Sequence, residues 1–310
     1  MRFQDVLHSA GPQARHIEAL WWPMLGVCTA VFIAVLAAVI WALLRAPRGG
    51  PATPPDLSSL GKPERGARIA VLAALAVSTV LLVALTLASF FTDRALARLG
   101  PPALTVEVIG HRWWWEIRYE GFATANELHI PVGKPVLVKL KGDDVIHSFW
   151  VPNLSGKKDL IPGRDATLTL RADQAGTYRG QCAEFCGAQH AKMAFLVIAD
   201  PPEQYDAWAA AERKPARESA DRRGGDVFME RGCATCHAIR GGGAAGDSAP
   251  DLTHVASRQT LAAGSVPNTL GHLAGWILDP QGIKPGANMP TTPMRPDELH
   301  ALVAYLGALK

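Results

Sequence analysis

The string Cys182-Ala-Glu-Phe-Cys186-Gly-Ala-Gln-His190-Ala-Lys-Met193 lies between two runs of β character, residues 177–181 and 194–199, and a further imidazole, His147, precedes it by 35 residues. Two thiols, two imidazoles and a thioether are soft or borderline donors, which suit copper and serve magnesium or calcium poorly. At this composition chance would produce the Cys-x3-Cys-x3-His-x2-Met spacing about 0.00005 times. The competing readings are a structural zinc site, which leaves Met193 without a purpose, and a disulfide between Cys182 and Cys186, which leaves His147, His190 and Met193 without one. Two cysteines this close, each able to bridge, can hold two coppers side by side with one histidine on each. Sharing an electron over two metals spreads the change in charge, which favours electron transfer over substrate binding.

Outward from this string the chain divides by composition. It has 310 residues, 48% hydrophobic and 19% charged, with 5 Cys and a formal net charge of +3. That excludes a disordered chain and a disulfide-stapled miniprotein. The basic excess is too small to argue for nucleic acid, and no basic helix accompanies it. Two uncharged apolar runs, about residues 21–44 and 69–91, each exceed the roughly 20 residues needed to cross about 30 Å of hydrocarbon. Trp21, Trp22 and Trp41 sit at the ends of the first run, where aromatic girdles form. Cys28 inside it lacks the small preceding residues of a lipoprotein cleavage site and is expected to be a structural thiol. Arg45, Arg48, Lys62, Arg65 and Arg68 outweigh Asp56 and Glu64 in the connecting loop, so the loop is expected on the cytoplasmic side and everything after Phe91 outside. A signal peptide in place of the first span is the alternative, disfavoured by its length and few basic flanking residues.

Beyond the spans, short β-type runs at residues 104–109, 135–141, 167–171, 177–181 and 194–199, separated by Gly, Pro and Asp, predict a small all-β sandwich or barrel. Residues 201–223 are expected to be a linker with a short helix near 203–213, and residues 224–310 to be helical at both ends, 226–231 and 296–309, with Gly/Pro-rich loops between.

This last segment carries the second signature, Cys233-Ala-Thr-Cys236-His237. Cys-x2-Cys-His places two thiols to form thioethers with a haem while the histidine approaches the iron. A thioredoxin-like pair is the rival, without the strand–turn–helix setting it needs. A sixth ligand would come from Met289 in Gly-Ala-Asn-Met-Pro, with Met294 as the runner-up.

The copper string resembles the binuclear site, CuA, of cytochrome c oxidase subunit II, over about residues 15–200, and residues 224–310 resemble class I cytochromes c. Together they resemble subunit II of caa-type haem–copper oxidases. That resemblance implies a two-helix transmembrane hairpin within residues 1–92, a cupredoxin-like β-sandwich at 93–200, a linker at 201–223 and an all-α cytochrome c domain at 224–310. It implies that Cys182 and Cys186 bridge two coppers, that His147 and His190 bind one each, that Met193 is a weak ligand and that Glu184 binds through its carbonyl. The Glu184 side chain would reach toward a magnesium at the subunit I interface. Trp113, in Gly110-His-Arg-Trp-Trp-Trp115, would mark electron entry, while Trp114 and Trp115 cover the sandwich or touch the bilayer. Cys233 and Cys236 would bind haem c covalently, His237 and Met289 would be axial, and the Pro250 carbonyl would hold the His237 ring. Asp144 resembles a carboxylate near the docking interfaces, or is one of a turn pair with Asp143. Glu64 would be a solvated loop acid or help proton entry.

The implied activity is transfer of electrons from an external cytochrome c or similar donor through haem c and CuA to haem in subunit I, where oxygen is reduced to water. Partners would be subunit I and other oxidase subunits, in a bacterial-type cytoplasmic membrane with both redox domains on the periplasmic side. Tethering would make the haem-to-copper encounter intramolecular. Against this stand a quinol oxidase subunit, which has lost copper ligands that are all present here, and nitrous-oxide reductase, whose histidine-rich catalytic domain 10 His cannot supply. A copper-delivery or thiol-redox protein, and a membrane electron carrier without an oxidase, complete the alternatives.

Overall fold

The computed structural model describes all residues except 1–3, 47–48, 51, 55–56, 58–60, 62–63, 97–98 and 217–221. Arg48, Asp56 and Lys62 of the interhelical loop and part of the 201–223 linker therefore lie outside the described residues. Two compact units result, residues 16–98 and residues 1–15 with 99–310.

The first unit is built from α1 (Pro12–Arg45) and α2 (Arg65–Leu96), and none of the apolar windows of these helices is buried within the protein. Phe32, Leu43, Leu44, Ile69 and Val80 are all well over half exposed. An apolar surface on every side of two such long helices is a membrane anchor, because only lipid covers it without cost. Pro23 sits inside α1. The helix also begins earlier than the apolar run, because its first turn belongs to the second unit. There the Ala14 N–H donates to the Leu154 carbonyl at 3.2 Å, and Gln13 is buried with its amide on the Thr169 carbonyl.

The second unit opens with ten strands, β1 (Leu104–His111), β2 (Trp114–Tyr119), β3 (Phe122–Ala125), β4 (Glu127–Pro131), β5 (Val136–Gly142), β6 (His147–Trp150), β7 (Lys158–Leu160), β8 (Ala166–Leu170), β9 (Gly176–Cys182) and β10 (Ala194–Asp200). They form two five-stranded sheets ordered β3-β2-β1-β5-β8 and β4-β10-β9-β6-β7. The β1/β5 and β4/β10 pairs are parallel and the rest antiparallel, giving a cupredoxin-like sandwich. The alternation Val106, Val108 on β1 and Val136, Val138, Leu140 on β5 points one face inward. Trp115, Phe149, Phe195 and Tyr178 fill the space between the sheets.

The expected linker is not all free chain. Residues Pro202–Glu212 form α3, whose Trp208 stacks on His129 at 3.9 Å and meets Tyr119 and Phe122 edge-on. Aromatic burial of this kind holds the helix against the sandwich.

The remaining chain forms a small helical module from α4 (Arg222–Glu230), α5 (Leu270–Leu278), α6 (Pro280–Ile283) and α7 (Pro296–Gly307). Here α4 crosses α7 so closely that a Cβ on Gly224 would stand 2.2 Å from the Ala301 carbonyl oxygen, so only glycine fits the crossing. Val227, Phe228, Leu302, Val303 and Leu306 form the core. The expected Gly/Pro-rich middle contains α5, whose first turn is capped by Thr269 accepting from the His272 N–H.

Candidate metal centre

The register of the second sheet assembles the copper-string side chains. On β6, Phe149 pairs with Cys182 of β9, and Trp150 with Gln181. Gln181 in turn pairs with Ala194 of β10, and the Cys182 N–H donates to the Met193 carbonyl at 2.9 Å. His147, Cys182 and Met193 are thus delivered to one end of the sandwich by three adjacent strands. The loop between β9 and β10 folds back to bring Cys186 and His190 to the same place.

Cys182 Sγ lies 3.7 Å from Cys186 Sγ, 3.9 Å from His147 Nδ1 and 3.1 Å from the Glu184 carbonyl oxygen. Cys186 Sγ lies 3.7 Å from His190 Nδ1 and 3.8 Å from Met193 Sδ. Both thiols are free. His147 and Met193 are fully buried, Cys182 and Cys186 nearly so, and His190 half-buried. The two sulfurs sit at the middle, with one imidazole on each outer side and the thioether and a carbonyl as further donors. That donor set fits a soft metal centre better than a hard one. The Cys186 thiol and the His147 ring, working against burial, favour the Cys182 thiolate well below the usual thiol range. The thiolate is the form in which a cysteine binds a metal.

His147 is oriented from behind. Its Nε2 lies 2.9 Å from Asp144 Oδ1, which leaves Nδ1 facing Cys182. Burial opposes ionisation of Asp144, but the His147 ring and the backbone N–H groups of Val145 and Arg112 together hold its carboxyl below the ordinary range. Gly110 completes the fit, because a Cβ there would stand 2.8 Å from the His147 ring. Of the two sequence readings of Asp144, neither named this contact. The signal available was an acid three residues from a buried histidine, a spacing that a turn allows.

Trp113 donates its indole N–H to the Cys186 carbonyl at 2.8 Å, beside the loop. Trp115 is buried in the sandwich, edge-on to His147, Phe149 and Phe195, while Trp114 stacks on His111 at 4.5 Å. His111 itself bridges Asp143 and Glu116. The Glu184 carboxylate pairs with Lys157 at 3.1 Å.

In the helical module, residues Cys233–Thr235 form a single 3₁₀ turn after α4, and the His237 N–H donates to the Cys233 carbonyl at 3.0 Å. His237 Nδ1 lies 2.7 Å from the Pro250 carbonyl, which accepts its proton and leaves Nε2 without a hydrogen-bond partner among the described residues. Burial holds this imidazole below its ordinary range, which favours the neutral form that ligates iron. The two cysteines and the oriented ring fit covalent haem c. Met289 is half-buried and its carbonyl accepts from the Gln281 amide at 3.0 Å, whereas Met294 packs against the module core. His254 donates from Nε2 to the Lys214 carbonyl at 3.0 Å, and the His272 ring Nδ1 lies 2.8 Å from the capping Thr269 hydroxyl of α5.

Comparison with known proteins follows the same division. Residues 120–200 match the family model of the cytochrome c oxidase subunit II periplasmic domain, and residues 222–310 match that of cytochrome c. Cytochrome c oxidase subunit 2 of Alkalihalophilus pseudofirmus is 41% identical over 218 residues, 68% of this chain and 63% of its own length, so this match spans less than two thirds of that relative. Its counterpart in Bacillus subtilis is 33% identical over 248 residues, 74% of this chain and 69% of its own length. The crystal structure of the periplasmic domain of cytochrome oxidase subunit II from Bradyrhizobium japonicum aligns with 29% identity and a TM-score of 0.36, covering 37% of this chain and 96% of its own. The chain belongs to the cytochrome c oxidase subunit 2 family, with a cytochrome c domain behind the copper-type sandwich.

Proposed function

We propose that the chain is subunit II of a caa-type haem–copper oxidase. The bound groups would supply one-electron transfer without bond making, haem c taking electrons from an external cytochrome c or similar donor and CuA passing them to haem in subunit I, where oxygen is reduced to water. Cys182 and Cys186 would bridge two coppers, His147 and His190 would bind one each, Met193 would be the weak ligand and Glu184 would offer its carbonyl. Cys233 and Cys236 would hold the haem covalently, with His237 and Met289 axial and the Pro250 carbonyl fixing the His237 ring. Trp113 would be the entry residue, and Glu184 would approach magnesium once subunit I displaces Lys157.

The protein's own work in this reading is positional. Asp144 holds one imidazole nitrogen away from the metals and the other toward them. The β6–β9–β10 register would hold the donors in place on reduction and oxidation, so that little rearrangement would accompany each electron. The anchor would lie in a bacterial cytoplasmic membrane, with the modules at about residues 93–200 and 224–310 on the periplasmic side.

The observation that carries the reading is the convergence of all five copper-string side chains on one buried end of the sandwich, in a chain that also presents an oriented Cys-x2-Cys-His. Affinity purification of the full chain from membranes tests it. Copurification of a polytopic haem protein, with oxygen consumption driven by a reduced one-electron carrier, is expected. A chain recovered alone, with bound haem c and no oxygen uptake, would make it a free-standing carrier instead.

A further inference from the structure

The sandwich and the helical module belong to one compact unit, and two polar anchors join them. At the first, the haem-type module offers donors to a carboxylate. Glu127 of β4, only 2% exposed, accepts from the Gln259 and Thr260 N–H groups at 2.8 and 2.9 Å, and beside it the Ala194 N–H donates to the Ala263 carbonyl at 3.0 Å. At the second, the module again donates, here to backbone carbonyls of the sandwich. Lys284, only 3% exposed at the end of α6, donates from Nζ to the Trp113 carbonyl at 2.6 Å. Asn288 donates to the Arg112 carbonyl at 3.2 Å, Lys192 donates to the Ile283 carbonyl at 2.5 Å, and Gln189 donates to the Pro285 carbonyl.

A lysine is rarely buried, because desolvating its amino group is costly unless a partner compensates. Lys284 has no carboxylate partner among the described residues, and burial pulls it down to about 7. Such a side chain adds little to the core of the helical module. It is understandable as a contact that exists only when the two modules are seated. Its location matters for the same reason. The 283–288 segment runs directly into Met289, and the Trp113 whose carbonyl it grips donates its indole to Cys186. One short segment therefore leads into the proposed axial methionine and grips the residue over the copper-type loop.

We propose that Lys284 is a positioning residue that seats the helical module on the sandwich, fixing the 283–288 segment, and with it Met289, against Trp113. A module swinging freely on its tether would deliver electrons only on random encounter. A seated one presents one geometry at every turnover. The proposal rests on the functional reading above for the identity of the two bound groups, whereas the seating itself is a property of the chain.

Hydrogen–deuterium exchange on the full chain, wild type against Lys284→Met, tests it, with copper and haem content measured on the same samples. Met keeps the apolar stem and removes the donor. We expect exchange in residues 110–115 and 283–288 to rise about tenfold or more, on the scale of a local opening, while both module cores and both cofactor contents stay unchanged. Flash-initiated haem-to-copper electron transfer should slow with both reduction potentials unaltered, a pattern that core damage would not produce. If Lys284→Met does not fold, Asn288→Asp, an exposed change that sets a carboxylate against the Arg112 carbonyl, should open the same two segments. Unchanged exchange in both segments in the variant that folds would overturn the proposal. Loss of the copper or haem assignment in the wild type would instead overturn the functional reading and leave the exchange comparison valid.

Discussion

Asp144 Oδ1 stands 2.9 Å from His147 Nε2, and this one contact decides which nitrogen of a fully buried imidazole faces the Cys182 sulfur. A ligand ring held by a carboxylate is both oriented and made more basic. Asp144→Ala should therefore lower copper affinity about 10- to 100-fold while the sandwich stays folded. Competition titration with a copper chelator measures it. Affinity equal to wild type would mean that packing by Trp115 and Gly110 alone holds the ring.

Met193 is wholly buried and its Sδ lies 3.8 Å from Cys186 Sγ. Met193→Leu nearly conserves volume, so the expected stability loss is below about 1.5 kcal/mol. Both coppers should remain bound, but their potential should shift, because a weak ligand tunes energy more than affinity. Redox titration with metal analysis checks this, and complete copper loss would contradict it.

Cys233 and Cys236 lie on and just after one 3₁₀ turn in a module whose core is separate from that of the sandwich. Cys233→Ser should abolish normal covalent haem attachment and leave copper content near wild type, as read by haem-stained gels and metal analysis. Equal loss of both centres would indicate one shared fold rather than two modules.

Glu127 gives a pH dependence with a definite sign. Burial raises its carboxyl above the ordinary value, outweighing the Thr260 and Gln259 N–H groups and the nearby Arg258 and His129. The folded form thus keeps a proton that the unfolded chain gives up. The stabilisation is complete below the ordinary glutamate value and is lost as pH rises through the raised one, by about 1.4 kcal/mol for each unit of elevation. Glu127→Gln keeps the acceptor and cannot ionise. Thermal unfolding of the full chain should therefore show the variant gaining on wild type as pH climbs from 4 toward 7. A constant difference across that range would mean that Glu127 titrates alike in both states.

What could be read from the residues followed from how local each signal is. Twenty uncharged apolar residues or a Cys-x3-Cys-x3-His-x2-Met spacing carry their meaning in adjacent positions, so the anchor and the donor string are legible in the sequence alone. β2 is hard to see because its Trp-rich opening reads as a functional aromatic patch, yet Trp115 is core and reaches the loop only at its last residue, the Met193 carbonyl, while Trp113 lies over the loop itself. α3 was half visible, since its Ala-rich texture suggested a helix while the aromatic docking of Trp208 needed the distant His129. Glu127 and Lys284 left no trace in the sequence. Their partners are 132 and 171 residues away, and no spacing encodes contacts that the packing of two modules creates.

The central claim is that His147, Cys182, Cys186, His190 and Met193 enclose two metals acting as one electron carrier. Electron paramagnetic resonance of the oxidised full chain, loaded with copper and haem, tests it most directly. The account predicts one unpaired spin shared equally between two copper nuclei, at two coppers per chain, beside a low-spin c haem. A signal split by a single copper nucleus, at one copper per chain, would contradict it.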